Sequence, residues 1–438
     1  MPAFDVLKSG DFRTLWTVKA VNEISRRMEL LALGYLVLRM TDSPFQVGLI
    51  AVFLNLPRPF FSLFAGLVAD RLDRRQVLIG VHAIYTVIST VLLLLLVMGA
   101  VEPWHVFIAI FLQGSAKVLD DPSRRTAIFD LAGPERLASA MSLETINNNS
   151  GKIAGPLIGG VLIASTGFVG SYAAILALDA VSLLLISRLK LPHRPLGEGT
   201  PVQVWRSLRE GLGHSVSNRM VLGVLSMSLI MNSLVFPIQY FIPVIANDLL
   251  MVGPTLGGLL GSAEGVGNFL GGIILAVRRD IGHYGRVFAI GALLVAVMVT
   301  LVAWSPWFAV SFSLLLLGGL GQAGFSTMQS TILLLESAPA MRGRTMGAQG
   351  VVNGMGHLVG GTEIGAIASA FGISIAIGLN AGAGILLILL VMALTPLVKR
   401  HAGGTDGPRA HSGEHAALTP EPGPDDEGPG LGDYTDIG

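Results

Sequence analysis

The 438-residue sequence predicts an all-α integral membrane protein, with twelve transmembrane helices arranged as two six-helix bundles. Three observations carry that prediction. Hydrophobic residues make up 52% of the chain and charged ones only 13%, with a mean hydropathy of +0.66. A water-soluble domain carries about 25% charge, so this chain has too little polar surface to cover itself in water. Apolar runs of about 20 residues, the length that crosses a bilayer, recur twelve times. Lys and Arg fall almost entirely in alternate connections, as the positive-inside rule requires.

The first six spans are expected near 15–39, 47–69, 77–99, 104–126, 138–166 and 169–189. The second six are expected near 219–246, 254–277, 287–304, 307–335, 345–370 and 373–397. Met1 to Trp16 carries Asp5, Lys8, Asp11 and Arg13 and lacks the apolar stretch of a cleavable signal, so the first span is expected to act as its own insertion signal. One side of the membrane receives Arg71, Arg74, Arg75, Arg124, Arg125, Arg136, Arg188, Lys190, Arg194, Arg206, Arg209, Arg278, Arg279, Arg286, Arg342, Arg344, Lys399 and Arg400. The opposite connections offer only Arg39. Both termini and the connection between the sixth and seventh spans are therefore expected on the cytoplasmic side of the cell membrane.

The expected division is an N-terminal bundle over 1–190, a cytoplasmic linker over 191–218, a C-terminal bundle over 219–398 and a disordered cytoplasmic tail over 399–438. The linker is rich in Pro and Gly, and the tail turns acidic with almost no large apolar residue. The halves echo each other at an offset of about 200 residues, as parallel repeats do. Asp130-Leu131-Ala132-Gly133-Pro134 ends the fourth span and Glu336-Ser337-Ala338-Pro339 the tenth. Gly159-Gly160 recurs as Gly360-Gly361, and Asp179 is answered by Asn380.

Several function classes fall away at once. The chain has no cysteine, which removes thiol catalysis, disulfides and thiolate metal sites. No P-loop, HExxH or nucleophile elbow is present, and no extramembrane segment is long enough for a catalytic domain, so no enzyme, cofactor or metal is expected. A formal net charge of zero, segregated by depth, leaves no footprint for nucleic acid. The expected partners are the lipid bilayer and a small-molecule substrate, with the protein a monomer.

Charges inside oily spans are functional candidates, because an ionised group at mid-bilayer costs about 2.5–3.5 kcal/mol. The first half holds Glu23, Arg26, Arg27, Glu29, Arg58, Lys117, Asp120, Lys152 and Asp179. Its five cations facing lipid would cost roughly 12–18 kcal/mol together, so they are expected to face the bundle interior or a wet cavity. Spacing pairs Glu23 with Arg27, Arg26 with Glu29, and Lys117 with Asp120 along single helices. Arg58 and Lys152 lack local partners and are expected to reach Asp179, Asp120 or Glu144 on other helices, with an anion contact equally open for Arg58. The second half offers Glu264, His357 and Glu363, with the amides Asn232, Gln239, Gln322 and Gln329. Glu264 and Glu363 have no local cation and are expected to be the better proton carriers, although a structural hydrogen bond is as reasonable for either. Gly155, Pro156, Gly159 and Gly160 are expected to let the fifth span bend and pack closely.

The stretch Gly66-x-x-x-Asp70-Arg71-x-x-Arg74-Arg75 resembles the signature loop between helices 2 and 3 of the major facilitator superfamily, with Asp73 where Gly is common. Phe12-Arg13-x-Leu15-Trp16, Thr41-Asp42-Ser43-Pro44, Asp121-Pro122-Ser123-Arg124, Asn149-x-x-Lys152-x-x-Gly155-Pro156-x-x-Gly159-Gly160 and Arg342-Gly343-Arg344 resemble the secretion-effector group, which includes enterobactin and macrolide exporters. The resemblance implies two bundles around a central cavity lined by spans 1, 4, 7 and 10. It also implies export of a drug- or siderophore-like molecule, with protons as the coupling ion. In that reading Asp70 is a gate acid with Arg71 and Arg74 as partners, and Gly66 permits close packing. An uptake carrier or lipid flippase on the same fold, or a non-transporting receptor, remains the alternative.

Overall fold

The computed structural model describes residues 6–61, 73–191, 213, 218–277, 282–338 and 341–398, and these are almost wholly helical. In the first half α1 is Gly10–Thr41, α2 is Pro44–Asn55 and α3 is Arg74–Val97. A helical run over Pro103–Ser187 is broken at Gly133 and Gly167, giving α4 (103–132), α5 (134–166) and α6 (168–187). In the second half α7 is Arg219–Ile230, α8 is Pro254–Val277, α9 is Tyr284–Val302, α10 is Phe308–Glu336, α11 is Arg342–Phe371 and α12 is Ile373–Leu394. Among the described residues this matches the expected twelve.

The turns explain the breaks. Gly167 between α5 and α6 has φ 71°, and Gly372 between α11 and α12 has φ 87°. Both lie where an L side chain is strained, and they occupy the same place in the two halves. Asp73 caps α3 by accepting from the Arg75 amide at 3.0 Å. The Arg75 side chain donates to the carbonyls of Ser187 and Leu189 at 2.6 and 2.7 Å, satisfying the carbonyl end of α6. Arg74 bonds Asp130 near the end of α4, so the described part of the arginine hairpin ties α3 to α4 and α6.

Seven described stretches are long and apolar enough to cross a membrane, one of them (Glu135–Ser187) holding both α5 and α6. The helices outside that set are α1, α2, α4 and α11. Description of α2 stops short of its expected end, because 62–72 lie outside the described residues. The other three carry buried charge or are rich in glycine and polar side chains. Their low hydropathy reflects the interior they line rather than a failure to span. Elsewhere large apolar side chains point outward at helical spacing, as with Val87, Val91 and Leu94 of α3. In water such stripes are a liability, whereas against acyl chains they are the required surface.

Small residues set how the bundles meet. A Cβ on Gly160 of α5 would sit 2.4 Å from the Pro254 carbonyl oxygen and 2.8 Å from Gly258 Cα of α8. A Cβ on Gly361 of α11 would sit 2.8 Å from the Gly48 carbonyl oxygen of α2. These two contacts join glycines that recur at the repeat offset, one from each half. Nearby, the Phe45 amide donates to the Ser369 hydroxyl at 2.9 Å, and a Cβ on Gly34 of α1 would sit 2.7 Å from Pro243. All lie toward the end that holds the α1–α2 and α11–α12 turns.

The seventh span, expected near 219–246, is not a regular helix throughout. Past α7 it tightens and loosens through a π turn at Met231–Val235, a 3₁₀ turn at Phe236–Tyr240 and a second π turn at Ile245–Leu249. Pro237 and Pro243 cannot donate to the ladder, so the helical register slips around them.

Candidate functional site

Helix α1 supplies the first row of charge. Lys19 bonds Glu23 one turn on, Nζ to Oε1 at 2.7 Å, and Arg27 approaches the other oxygen of Glu23 at 4.0 Å. This row lies against the glycine face of α5: a Cβ on Gly151 would meet Glu23 Cβ at 2.6 Å, and one on Gly155 would meet Arg27 Cβ at 2.3 Å. The Gly155-Pro156-x-x-Gly159-Gly160 motif thus faces two ways, with Gly155 and Gly159 on α1 and Gly160 on α8.

Behind that row, Arg26 bonds both Glu29 and Asp179 of α6, and its guanidinium lies 4.6 Å from the ring centroid of Tyr85. Asp179 also accepts from Ser25 and Ser89, and Glu29 accepts from Gln113 at 2.7 Å. Glu29 and Asp179 are each 1% exposed. A third cluster on α4 pairs both oxygens of Asp120 with Arg124 at 2.9 and 3.1 Å, and Arg124 also faces His82 Nε2 at 3.3 Å. Since a guanidinium cannot accept, His82 accepts there.

Two hollows with a shared wall lie between the bundles. The larger, about 190 Å³, is lined on one side by α1 and α4 side chains, including Lys19, Asn22, Glu23, Arg26, Arg27, Lys117, Asp120 and Asp121. Arg58, Asn55, Gln239, Tyr240 and His357 complete its wall. The smaller, about 60 Å³, holds Arg27, Lys152, Pro156, Gln239 and Glu264. Gln239 and Tyr240 belong to both, and both come from the 3₁₀ turn that the prolines impose. Polar contacts cross between bundles at this depth: Lys152 to Gln322 at 3.2 Å, Asn268 to Asn149 at 3.3 Å and Asn55 to Tyr240 at 3.3 Å.

Most of the residues expected from sequence meet here, with changes of partner. Arg26 pairs with Glu29 as spacing indicated, but Asp179 joins them. Asp120 takes Arg124 and not Lys117, because i,i+4 with a planar fork satisfies both oxygens at once. Arg124, counted among the cytoplasmic arginines, is 2% exposed inside α4 and belongs to this network. Lys152 reaches the amide of Gln322 rather than Asp179, Asp120 or Glu144. Glu363 is partly buried in α11 and lines neither hollow. Gly66, Asp70 and Arg71 lie outside the described residues, and Arg74 pairs with Asp130. Sequence reading passed over Lys19, Asn22, Tyr85, Gln113 and Tyr240. Lys19 was legible, since Lys19, Glu23 and Arg27 form an unbroken i,i+4 series.

Two bundles of six helices around a polar cavity, with a duplicated glycine contact at one end, define a transporter of the major facilitator type. The fold compares with a variant of the nucleoside transporter NupG at a TM-score of 0.71 and 17% identity, covering 88% of this chain and 100% of that one. It compares with a bacterial homologue of the human lysosomal transporter Spinster at 0.68 and 15% identity, covering 88% and 95%. Residues 2–423 match the transmembrane secretion effector family, and the chain belongs to it. It is 24% identical to the enterobactin exporter EntS of Escherichia coli K12 over 396 residues, 89% of this chain and 92% of that protein. Against the Shigella flexneri EntS the identity is 25% over 394 residues, 88% and 92% of the two chains. The protein is a multi-pass membrane transporter and not an enzyme.

Proposed function

We propose that this transporter exports a small organic molecule, drug- or siderophore-like, across the cytoplasmic membrane in exchange for protons, by rocking two bundles about the central cavity. The observation that carries the reading is the cavity itself: its wall comes from both bundles and holds charged side chains that a lipid-facing helix would not tolerate. EntS, the relative matched over most of both chains, is an exporter by name. The arginine-rich connections, now including Arg74, Arg75, Arg136, Arg188, Lys190, Arg286, Arg342 and Arg344 but not Arg124, favour cytoplasmic termini. With that orientation, the glycine contacts close the outer end, and the arrangement described faces inward. The divisions at 191–218 and 399–438 stay proposals, since 192–212, 214–217 and 399–438 lie outside the described residues. So does the monomeric state.

For the coupling proton, the geometry favours the Glu29–Asp179 pair over Glu264 or Glu363. Two buried carboxylates share one guanidinium, His82 accepts from Arg124, and the Asp120–Arg124 and Lys19–Glu23 pairs are internally neutral. Within the cluster of Arg26, Glu29 and Asp179 one negative charge is therefore in surplus, and a proton is the simplest group that neutralises it there. Loading and release of that proton as Arg26 shifts between the pair and the cavity would couple protonation to bundle motion.

The test compares culture medium from cells lacking and overproducing the protein for one compound that disappears and reappears, then follows that compound in everted vesicles with an imposed pH gradient. Uptake into everted vesicles driven by acid inside is expected. Accumulation in the opposite sense would establish an uptake carrier, and secretion unaffected in both strains would refute export.

A further inference from the structure

With its pairs subtracted, the larger hollow holds donors that lack acceptors. Glu23 is engaged by Lys19 and Arg27, both oxygens of Asp120 by Arg124, and Arg26 is turned toward Glu29 and Asp179. Arg58 and Lys117 make no hydrogen bond or ion pair among the described residues. Asn22 is 4% exposed, and its Nδ2 has no partner among the described residues. All three line the same cavity. Asp121, the remaining carboxylate of that wall, offsets one of the two free cations and leaves the other.

Unpaired cations and a buried amide donor are costly unless something accepts from them. Helices α1 and α4 and the stretch that follows α2 nonetheless bring three such groups to one wall, beside Leu30, Leu33 and Leu54. We propose that this wall is an oxyanion site, in which Arg58, Lys117 and Asn22 bind the carboxylate or phenolate head of an amphipathic solute whose apolar body lies on those leucines. The guanidinium can offer a paired fork to such a head, the ammonium a point charge and the amide a directional N–H. The assignment rests on the reading that the chain carries a small organic molecule, and does not depend on the direction of transport or on proton coupling.

The test is an equilibrium one on the full chain in lipid nanodiscs, using benzoate, benzyl alcohol and benzylammonium as probes of matched size and different charge. Saturation-transfer NMR is expected to give benzoate a dissociation constant near about 1 mM, at least about tenfold tighter than the other two. Arg58→Gln and Lys117→Gln are each expected to weaken benzoate about tenfold, while Arg58→Lys, which restores the charge without the fork, recovers part of the loss. Leu386→Ala, on the outward face of α12 and away from this wall, is the folding control and leaves benzoate unchanged. Equal binding of benzylammonium, no benzoate binding at about 10 mM, or unchanged binding in both Gln variants would overturn the proposal. Displacement of benzoate by chloride at equal concentration would reduce the wall to an inorganic-ion site and overturn it too. A cationic compound secreted in the export screen would sink the anion assignment and leave transport standing. Benzoate binding with no secreted compound would do the reverse.

Discussion

Where α6 buries Asp179 against Arg26, Ser25 and Ser89, its counterpart α12 buries Asn380, whose amide, among the described residues, bonds only the Ala376 carbonyl of its own helix and whose Oδ1 has no partner there. The same contrast runs through the other paired helices. Helix α1 carries Lys19, Glu23, Arg26, Arg27 and Glu29, whereas the seventh span offers Ser228, Asn232 and Gln239 and is broken by prolines. Helix α4 holds the Asp120–Arg124 pair, and α10 answers with Gln322 and Gln329. Duplication supplied the same scaffold and the same glycine contacts twice, and the halves then diverged. The first bundle concentrates interlocked charge; the second supplies neutral polar groups and an irregular helix that can change register.

The contrast is broken most sharply at Arg26. Arg26→Leu leaves Glu29 and Asp179 buried without their cation, and about 3–5 kcal/mol of stability is expected to go. Thermal unfolding in detergent micelles reads that loss, and combining the change with Asp179→Asn should restore part of it. At the glycine contact, Gly361→Leu forces bulk against the Gly48 carbonyl, and about 1–3 kcal/mol of strain is expected to fall on the end closed by the glycine contacts alone. That variant should remain folded by size-exclusion chromatography and show greater proteolytic access at the α1–α2 turn.

Smaller effects sharpen the same comparison. Arg75→Ala strips two acceptor carbonyls at the end of α6 of their partner, at a half-buried site, and about 1 kcal/mol is expected. Asn380→Ala in the second bundle removes one local bond together with one unmet acceptor, so its cost should stay under about 1 kcal/mol, well below that of Asp179→Ala. If the two substitutions cost the same, the halves do not differ in the way described.

The span count, the duplication and the glycine motifs were legible because hydropathy and helical spacing are local properties of a sequence. The i,i+3 pair Arg26–Glu29 was legible for the same reason. Partners about 150 residues apart were not: the capture of Arg26 by Asp179 follows from how α1 meets α6, which no spacing encodes. Arg124 misled because a positive charge near a helix end reads as an anchor until a buried acid one turn away is seen to hold it. Glu264 was recognised as a charge in the right span, and its place beside Lys152 needed the fold. The slip of register after α7 was signalled by Pro237 and Pro243, yet prolines announce a break without saying which turns form around it.

The chain contains no cysteine, so paired spin labels can be introduced without removing any residue first. Labels at Thr41 and Phe371 report the end closed by the glycine contacts, and labels at Arg136 and Arg342 report the arginine-rich end. Alternating exposure of one cavity predicts that each pair shows two distances by double electron–electron resonance in nanodiscs, and that their populations move in opposite directions as pH changes. A single, unchanging distance at both ends would contradict it.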